Sequence, residues 1–188
     1  MRSNVIIVPL TTKKKITMTT ENSNITLKGN KLTIIGSAPK VGNKAPDFKL
    51  TAVDMKDITL TDYQNKILVL IVVPSLDTPV CAIETKRFNQ EASNLSDEVE
   101  LLVVSVDLPM AQNRWCGLEN IKRVKTASDY KYRNFGENYG VFIQENALLT
   151  RSVFIVDKSG ILQYVEYVSE IAEEPNYQQI LNKIKELV

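Results

Sequence analysis

The chain has 188 residues, 44% of them apolar and 24% charged, a composition ordinary for one soluble globular domain. Lys plus Arg number 23 against 22 Asp plus Glu, so no bulk charge draws the chain to nucleic acid or to a membrane surface. It has no histidine and only two cysteines, Cys81 and Cys116, which removes Ser-His-Asp and Cys-His catalytic pairs, four-thiolate metal sites and most zinc sites.

Residues 1–22 read as an N-terminal tail, separate from a single domain over residues 23–188. A short apolar stretch, Val5 among its residues, is followed by Thr-rich sequence and Lys13-Lys14-Lys15. A secretory signal carries its basic residues before the apolar region and ends in a small-residue cleavage site. Here the main basic cluster comes after, no clear cleavage site follows, and Met18 is an alternative start. The longest apolar run, residues 67–74, is far short of the roughly 20 residues that span a membrane. A cytoplasmic protein with no membrane role is expected.

Ile25, Leu27, Leu32 and Ile34 alternate with polar residues around Lys28-Gly29-Asn30, the pattern of a β-hairpin. Residues 48–52 and 58–60 suggest a second hairpin, and Thr61 is the expected cap of a short helix over 62–65. Residues 67–73 are continuously apolar, as in a strand buried on both faces, and 100–106 and 152–156 are similar. Gly160 marks a turn into 161–168, whose alternation fits a strand antiparallel to its predecessor. Helical segments fall near 80–95, 110–120, 130–139 and 176–187, the last after Pro175, at a position that favours proline. Hairpins, then βαβα of parallel character, then an antiparallel ββα finish make an α/β three-layer sandwich with a central mixed β-sheet.

The segment Pro74-Ser75-Leu76-Asp77-Thr78-Pro79-Val80-Cys81 must turn, because its two prolines let it continue neither as strand nor as helix. Thr78 is the expected N-cap, with Pro79 in the first helical position. Cys81 then lies in the first helical turn, near unpaired backbone N–H groups and the positive end of the helix dipole. Thiols at helix N-termini ionise more readily, so no histidine is needed to make a cysteine reactive there. The same pattern fits an inert thiol. Cys81, Thr85, Phe88, Ala92 and Leu95 share one helix face, and Cys81 heads that core-facing stripe. Periodicity does not choose between the two.

The same segment resembles the Pro-x-x-x-Thr-x-x-Cys signature of peroxiredoxins, and its context is similar to the thiol peroxidase branch, the atypical two-cysteine enzymes. The resemblance runs through Lys86-Arg87-Phe88-Asn89, Val104-Ser105-Val106-Asp107-Leu108-Pro109, Ala111-Gln112-Asn113-Arg114-Trp115-Cys116 and Arg151-Ser152-Val153-Phe154. It covers residues 24–188 and leaves the tail without a counterpart. It implies a thioredoxin-like fold with an N-terminal β-hairpin extension.

By the same resemblance, Cys81 matches the peroxidatic cysteine and Cys116 the resolving cysteine that closes an intramolecular disulfide with it. Thr78 matches the hydroxyl that bonds thiolate and peroxide, Pro74 the residue that shields the pocket from water, and Arg151 the arginine that stabilises the thiolate and orients the peroxide. The implied partners are a hydroperoxide, thioredoxin as reductant and a second copy of the chain in a homodimer; no metal, haem or flavin is required. Each residue also has a structural reading: Thr78 as a helix cap, Pro74 as a strand end, Arg151 as a solvated flank, Cys116 as packing beside Trp115. Two other functions compete. A thioredoxin-like disulfide reductase is opposed by the lack of a CxxC motif, and a non-catalytic binding domain would hold Cys81 and Cys116 in a structural disulfide.

Overall fold

A computed structural model describes residues 24–188; the tail expected over 1–22 and the alternative start at Met18 lie outside the described residues. The short strands β1 (Thr26–Leu27) and β2 (Asn30–Lys31) pair across Lys28-Gly29, so the first hairpin exists but is shorter than the alternation predicts. Its turn is fastened by Glu170, whose carboxylate accepts from the Lys28 and Gly29 N–H groups at 2.9 and 3.0 Å. Ile34 does not extend this hairpin. It begins β3 (Ile34–Ile35), which pairs with β9 (Phe142–Ile143) more than a hundred positions away. Gly36, at φ +109°, follows at a place where any Cβ would collide with the Glu137 backbone.

The second hairpin, β4 (Lys49–Ala52) with β5 (Asp57–Thr59), forms as the sequence predicts. The helix after it is a single 3-10 turn, Leu60–Tyr63, two residues earlier than expected. Thr59 rather than Thr61 is its N-cap, because Asp62 reaches back to the Thr59 N–H at 2.7 Å and completes a capping box.

Every residue of β6 (Ile67–Val72) is buried, which is why its sequence has no polar alternation. It pairs in parallel with β7 (Val99–Ser105) and antiparallel with β10 (Ser152–Val156). Strand β11 (Leu162–Tyr167) pairs antiparallel with β10, while β8 (Lys125–Ser128) joins β7 in parallel and β4 antiparallel. Among the described residues the main sheet has seven strands in the order β11-β10-β6-β7-β8-β4-β5. It is mixed and thioredoxin-like.

Leu68, Leu70 and Val72 face one core with Leu102, Val104 and Phe154, closed by Phe135 of the short helix α3 (Asn134–Asn138) and by Tyr139. Ile67, Val69 and Ile71 face the other, against Phe88 of α1 (Pro79–Glu91), Trp115 of α2 (Pro109–Leu118), and Ile180 and Ile184 of α4 (Tyr177–Leu187). An isolated helix the length of α4 is marginal in water. Burying two isoleucines at about 1.5–3 kcal/mol each is what holds it to the sheet. Tyr177 adds a tilted contact with Phe88 and lies under the Arg87 guanidinium, which pins α4 to α1.

The register at one end of the sheet assembles the site. Ser152 lies opposite Val72, so Arg151, one residue earlier, stands beside the point where β6 passes into the loop toward α1. The carboxyl end of β7, parallel to β6, leads through Asp107 into α2 at the same end.

Candidate active site

Thr78 holds the N-cap position of α1 with extended backbone, and Pro79 follows at the first helical position. The capping hydrogen bond expected of Thr78 is absent. Its hydroxyl lies 2.8 Å from Cys81 Sγ and 3.0 Å from the Ser75 carbonyl oxygen, so it serves the sulfur and the loop instead of the helix. Those two neighbours suit both ionisation states. A neutral thiol donates to Thr78 Oγ1 while that hydroxyl donates to Ser75 O, and on ionisation the hydroxyl turns its one proton to the sulfur.

Arg151 is no solvated flank: it is 1% exposed and the largest fully buried side chain of the described residues. Each of its three nitrogens donates a hydrogen bond. Nη2 donates to Cys81 Sγ at 3.4 Å, Nε to the Ile171 carbonyl at 3.0 Å, and Nη1 to the Glu84 carboxylate. Cys81 itself is completely buried, with two donors aimed at its sulfur, one of them cationic. Donors so placed make charge-assisted hydrogen bonds to a sulfur that carries charge in a reaction. Pro74, also buried, comes two residues after the end of β6, in the loop that leads to Thr78.

Glu84 was not singled out by sequence reasoning, although its signal is visible in retrospect. It follows Cys81 by three positions on the helix, within the stripe that packs inward, where a carboxylate demands a buried partner. That partner is Arg151. Burial pushes the Glu84 carboxyl up to about 7, with Arg151 pulling back down, and its Oε1 has no hydrogen-bond partner. The guanidinium is therefore shared between the Glu84 carboxyl and the sulfur.

Cys116 stands apart from this cluster. Both cysteines are free thiols, and their sulfurs have different neighbours: Cys116 Sγ lies 3.8 Å from Thr126 Oγ1. It lines an open cleft of about 710 Å³ between α2 and the β4–β5 hairpin, with Asn113, Tyr63 and Ile58. Burial pushes the Cys116 thiol up, which Thr126 offsets only in part. The site thus brings Thr78, Cys81 and Arg151 into contact and leaves Cys116 on a neighbouring helix.

Comparison with known proteins decides what this geometry is. Residues 40–181 match the Redoxin family. The chain is 48% identical over 162 residues to the thiol peroxidase of Oceanobacillus iheyensis, covering 86% of this chain and 98% of that one. It belongs to the thiol peroxidases of the redoxin family. The Bacillus subtilis thiol peroxidase is 45% identical over 166 residues, 88% of this chain and 99% of that one. A solved structure, described as a peroxiredoxin-like protein from Aquifex aeolicus, superposes with a TM-score of 0.82 at 46% identity, over 87% of this chain and 96% of the other. A thiol peroxidase from Chromobacterium violaceum shares the fold, with a TM-score of 0.78 at 19% identity over 86% of this chain and 95% of that one. The chain is thus a thiol-dependent peroxidase, an oxidoreductase that takes a hydroperoxide and a thiol reductant. Among its described residues no helix is long and apolar enough to cross a membrane.

Proposed function

We propose that Cys81 is the peroxidatic and Cys116 the resolving cysteine of a thioredoxin-recycled peroxidase for hydrogen peroxide and organic hydroperoxides. The observation that carries this reading is the convergence of the Thr78 hydroxyl and the Arg151 guanidinium on the Cys81 sulfur. Thiolate Cys81 attacks the terminal peroxide oxygen, the O–O bond breaks, and the leaving alkoxide or hydroxide takes a proton. Cys81 is left as a sulfenic acid. Thr78 and Arg151 donate to the oxygens as charge builds on them, in the way preorganised donors act in an oxyanion hole. Cys116 then attacks the sulfenic sulfur: the S–S bond forms, the S–O bond breaks, and hydroxide leaves as water with the Cys116 proton. Two electrons from a dithiol, thioredoxin in this reading, return both cysteines to thiols.

Two features of the resting site bear on the cycle. Cys81 has no exposed surface, so peroxide reaches it only as the 74–78 loop or the first turn of α1 gives way, and Pro74 keeps bulk water out otherwise. A disulfide needs Cα atoms within roughly 7 Å and Cβ atoms closer still. The separate settings of the two sulfurs therefore require local unwinding around Cys81, movement of α2, or both. We read residues 23–188 as one catalytic domain that acts as a homodimer in the cytoplasm, where free thiols persist; light scattering at micromolar concentration reads the dimer directly.

The test of the activity is peroxide consumption by reduced protein with thioredoxin, its reductase and NADPH. Turnover that stops when thioredoxin is omitted supports the reading. Turnover with a small dithiol but none with thioredoxin removes thioredoxin as the reductant, and no consumption with either removes the peroxidase itself.

Thr78 has its own expected result. Thr78→Val keeps the shape and removes the hydroxyl, and losing one preorganised donor of this kind slows chemistry by about a hundredfold. Stopped-flow oxidation of Cys81 should show that loss in Thr78→Val and near wild-type rates in Thr78→Ser. Wild-type rates in the valine variant would exclude Thr78 from the reaction.

A further inference from the structure

One carboxylate joins the loop that carries Cys81 to the segment that begins the Cys116 helix. Asp107 lies between β7 and α2. Its Oδ1 accepts from Ser75 Oγ at 2.7 Å, and its Oδ2 accepts from the Leu76 N–H and from Ser105 Oγ, both at 2.8 Å. The Asp107 carbonyl accepts from Ser128 Oγ at the end of β8, and its own N–H donates to Ser105 Oγ at 3.2 Å. Ser105 Oγ is reached in turn by Gln112 Nε2 at 3.0 Å, whose other proton goes to the Ala127 carbonyl at 3.0 Å. Gln112 is completely buried and lies one helical turn before Cys116. Ser75 and Leu76 stand in the loop before Thr78 and Cys81. The loop, the strand ends and α2 thus share a single anchor.

We propose that Asp107 is the clasp that sets how readily the Cys81 loop and the Cys116 helix come free, and so how fast the disulfide closes. The inference rests on the reading of Cys81 and Cys116 as a peroxidatic and resolving pair. Bonds from Ser75 and Leu76 to an ionised carboxylate are charge-assisted, and each slows opening of the loop by about ten- to a hundredfold. While the clasp holds, Thr78 stays on the Cys81 sulfur and the site reacts with peroxide. When it opens, the loop can leave the strand ends and α2 loses part of its first-turn anchorage. Cys116 then reaches the Cys81 sulfenic acid and displaces hydroxide. A closed clasp prolongs the sulfenic acid, and a second hydroperoxide can then transfer an oxygen to it and give the sulfinic acid, leaving as water or alcohol. Asp107 is in this sense a positioning residue. It touches no reacting atom, and it partitions the sulfenic acid between disulfide and over-oxidation.

The experiment uses full-length Asp107→Asn, which removes the charge and replaces one acceptor oxygen by an NH2 donor that faces the donors of the loop or of Ser105. Trp115 is the only tryptophan of the chain, is nearly buried and precedes Cys116, so its fluorescence follows movement of α2. Three quantities are read with hydrogen peroxide: the rate of Cys81 oxidation, the rate of disulfide formation, and the peroxide concentration that leaves half of Cys81 as sulfinic acid by intact mass. The expected result is disulfide formation about a hundredfold faster and a half-inactivating peroxide concentration about a hundredfold higher, with Cys81 oxidation unchanged or slower. A merely structural residue slows both chemical steps when it is removed and accelerates neither. Ser75→Ala deletes one of the two loop contacts and should move the same quantities in the same direction by less; if Asp107→Asn does not fold, this variant decides alone. Resolution at the wild-type rate or slower in the folded variants overturns the clasp. A wild-type protein that forms no Cys81–Cys116 disulfide overturns the underlying assignment instead.

Discussion

Arg151→Met should slow oxidation of Cys81 by about a hundred- to a thousandfold, because it takes away the guanidinium that donates to the sulfur. Methionine fills much of the same volume, so the loss is mainly electrical. The cost in stability should be large as well. Removing one partner of a buried ion pair costs about 3–5 kcal/mol when it strands the other charge, and here it also leaves the Ile171 carbonyl without the Arg151 N–H.

That cost depends on pH with a definite sign. In the native protein the Glu84 carboxyl is already held up to about 7 by burial, above its ordinary range, and without the guanidinium it rises further. The folded state then binds a proton that the unfolded chain has released, so stability falls as pH rises from the ordinary carboxyl range upward. The deficit of Arg151→Met relative to wild type should therefore be smaller at pH 6 and larger at pH 8.5, read as the shift in urea midpoint at each pH. Arg151→Lys keeps the charge without the planar fork and cannot meet carbonyl, carboxylate and sulfur together. Its oxidation rate should fall between the two. An Arg151→Met protein that oxidises Cys81 at the wild-type rate would remove the arginine from the mechanism.

Cys81→Ser should lose at least about a thousandfold of peroxide consumption, since a serine hydroxyl is a far weaker nucleophile than a thiolate and nothing here ionises it. Cys116→Ser should behave differently. Its Cys81 should oxidise at close to the wild-type rate and then stall as a sulfenic acid, trappable by dimedone and visible by intact mass. The contrast matters because Cys116 lies outside the Thr78–Cys81–Arg151 cluster and has its own thiol pushed up by burial. In the proposed cycle it acts only in the second step, after it has moved. Equal loss of the first oxidation in both variants would place Cys116 in the peroxide-reacting site, against the observed geometry.

The elements that the sequence makes legible are those whose own residues carry the signal. Strands β6, β7 and β10 are largely apolar runs because both faces of the sheet are covered, and β11, at the sheet edge, is half-buried along most of its length. Strand β8 escapes such reading: Lys-Thr-Ala-Ser has little apolar content, and its extended state is set by pairing with β7 and β4. The pairing of Ile34 with Ile143 is likewise a tertiary fact. Helix α3 is shorter than the pattern over 130–139 suggests. Arg133 takes a left-handed backbone at φ +56° just before it, and the Asp129 carboxylate accepts from the Phe135 and Gly136 N–H groups where the helix begins.

At the site, the turn chemistry of 74–81 was enough to put Cys81 in the first helical turn. The target of the Thr78 hydroxyl was not, since a cap and a sulfur ligand need the same residue in the same place. Arg151 and Glu84 illustrate the limit from the other side. Each alone reads as a surface charge, and only the register of β10 against β6 brings the guanidinium down onto the inward face of α1.

If Cys81 and Cys116 complete one catalytic redox pair, peptide mapping without reductant will find them joined. Reduced protein is treated with one equivalent of hydrogen peroxide, remaining thiols are alkylated, and the digest is analysed by mass. One linkage is expected, Cys81 to Cys116 within a single chain, with neither cysteine alkylated. Oxidised Cys81 beside a fully alkylated Cys116, or a disulfide joining two chains, would contradict it.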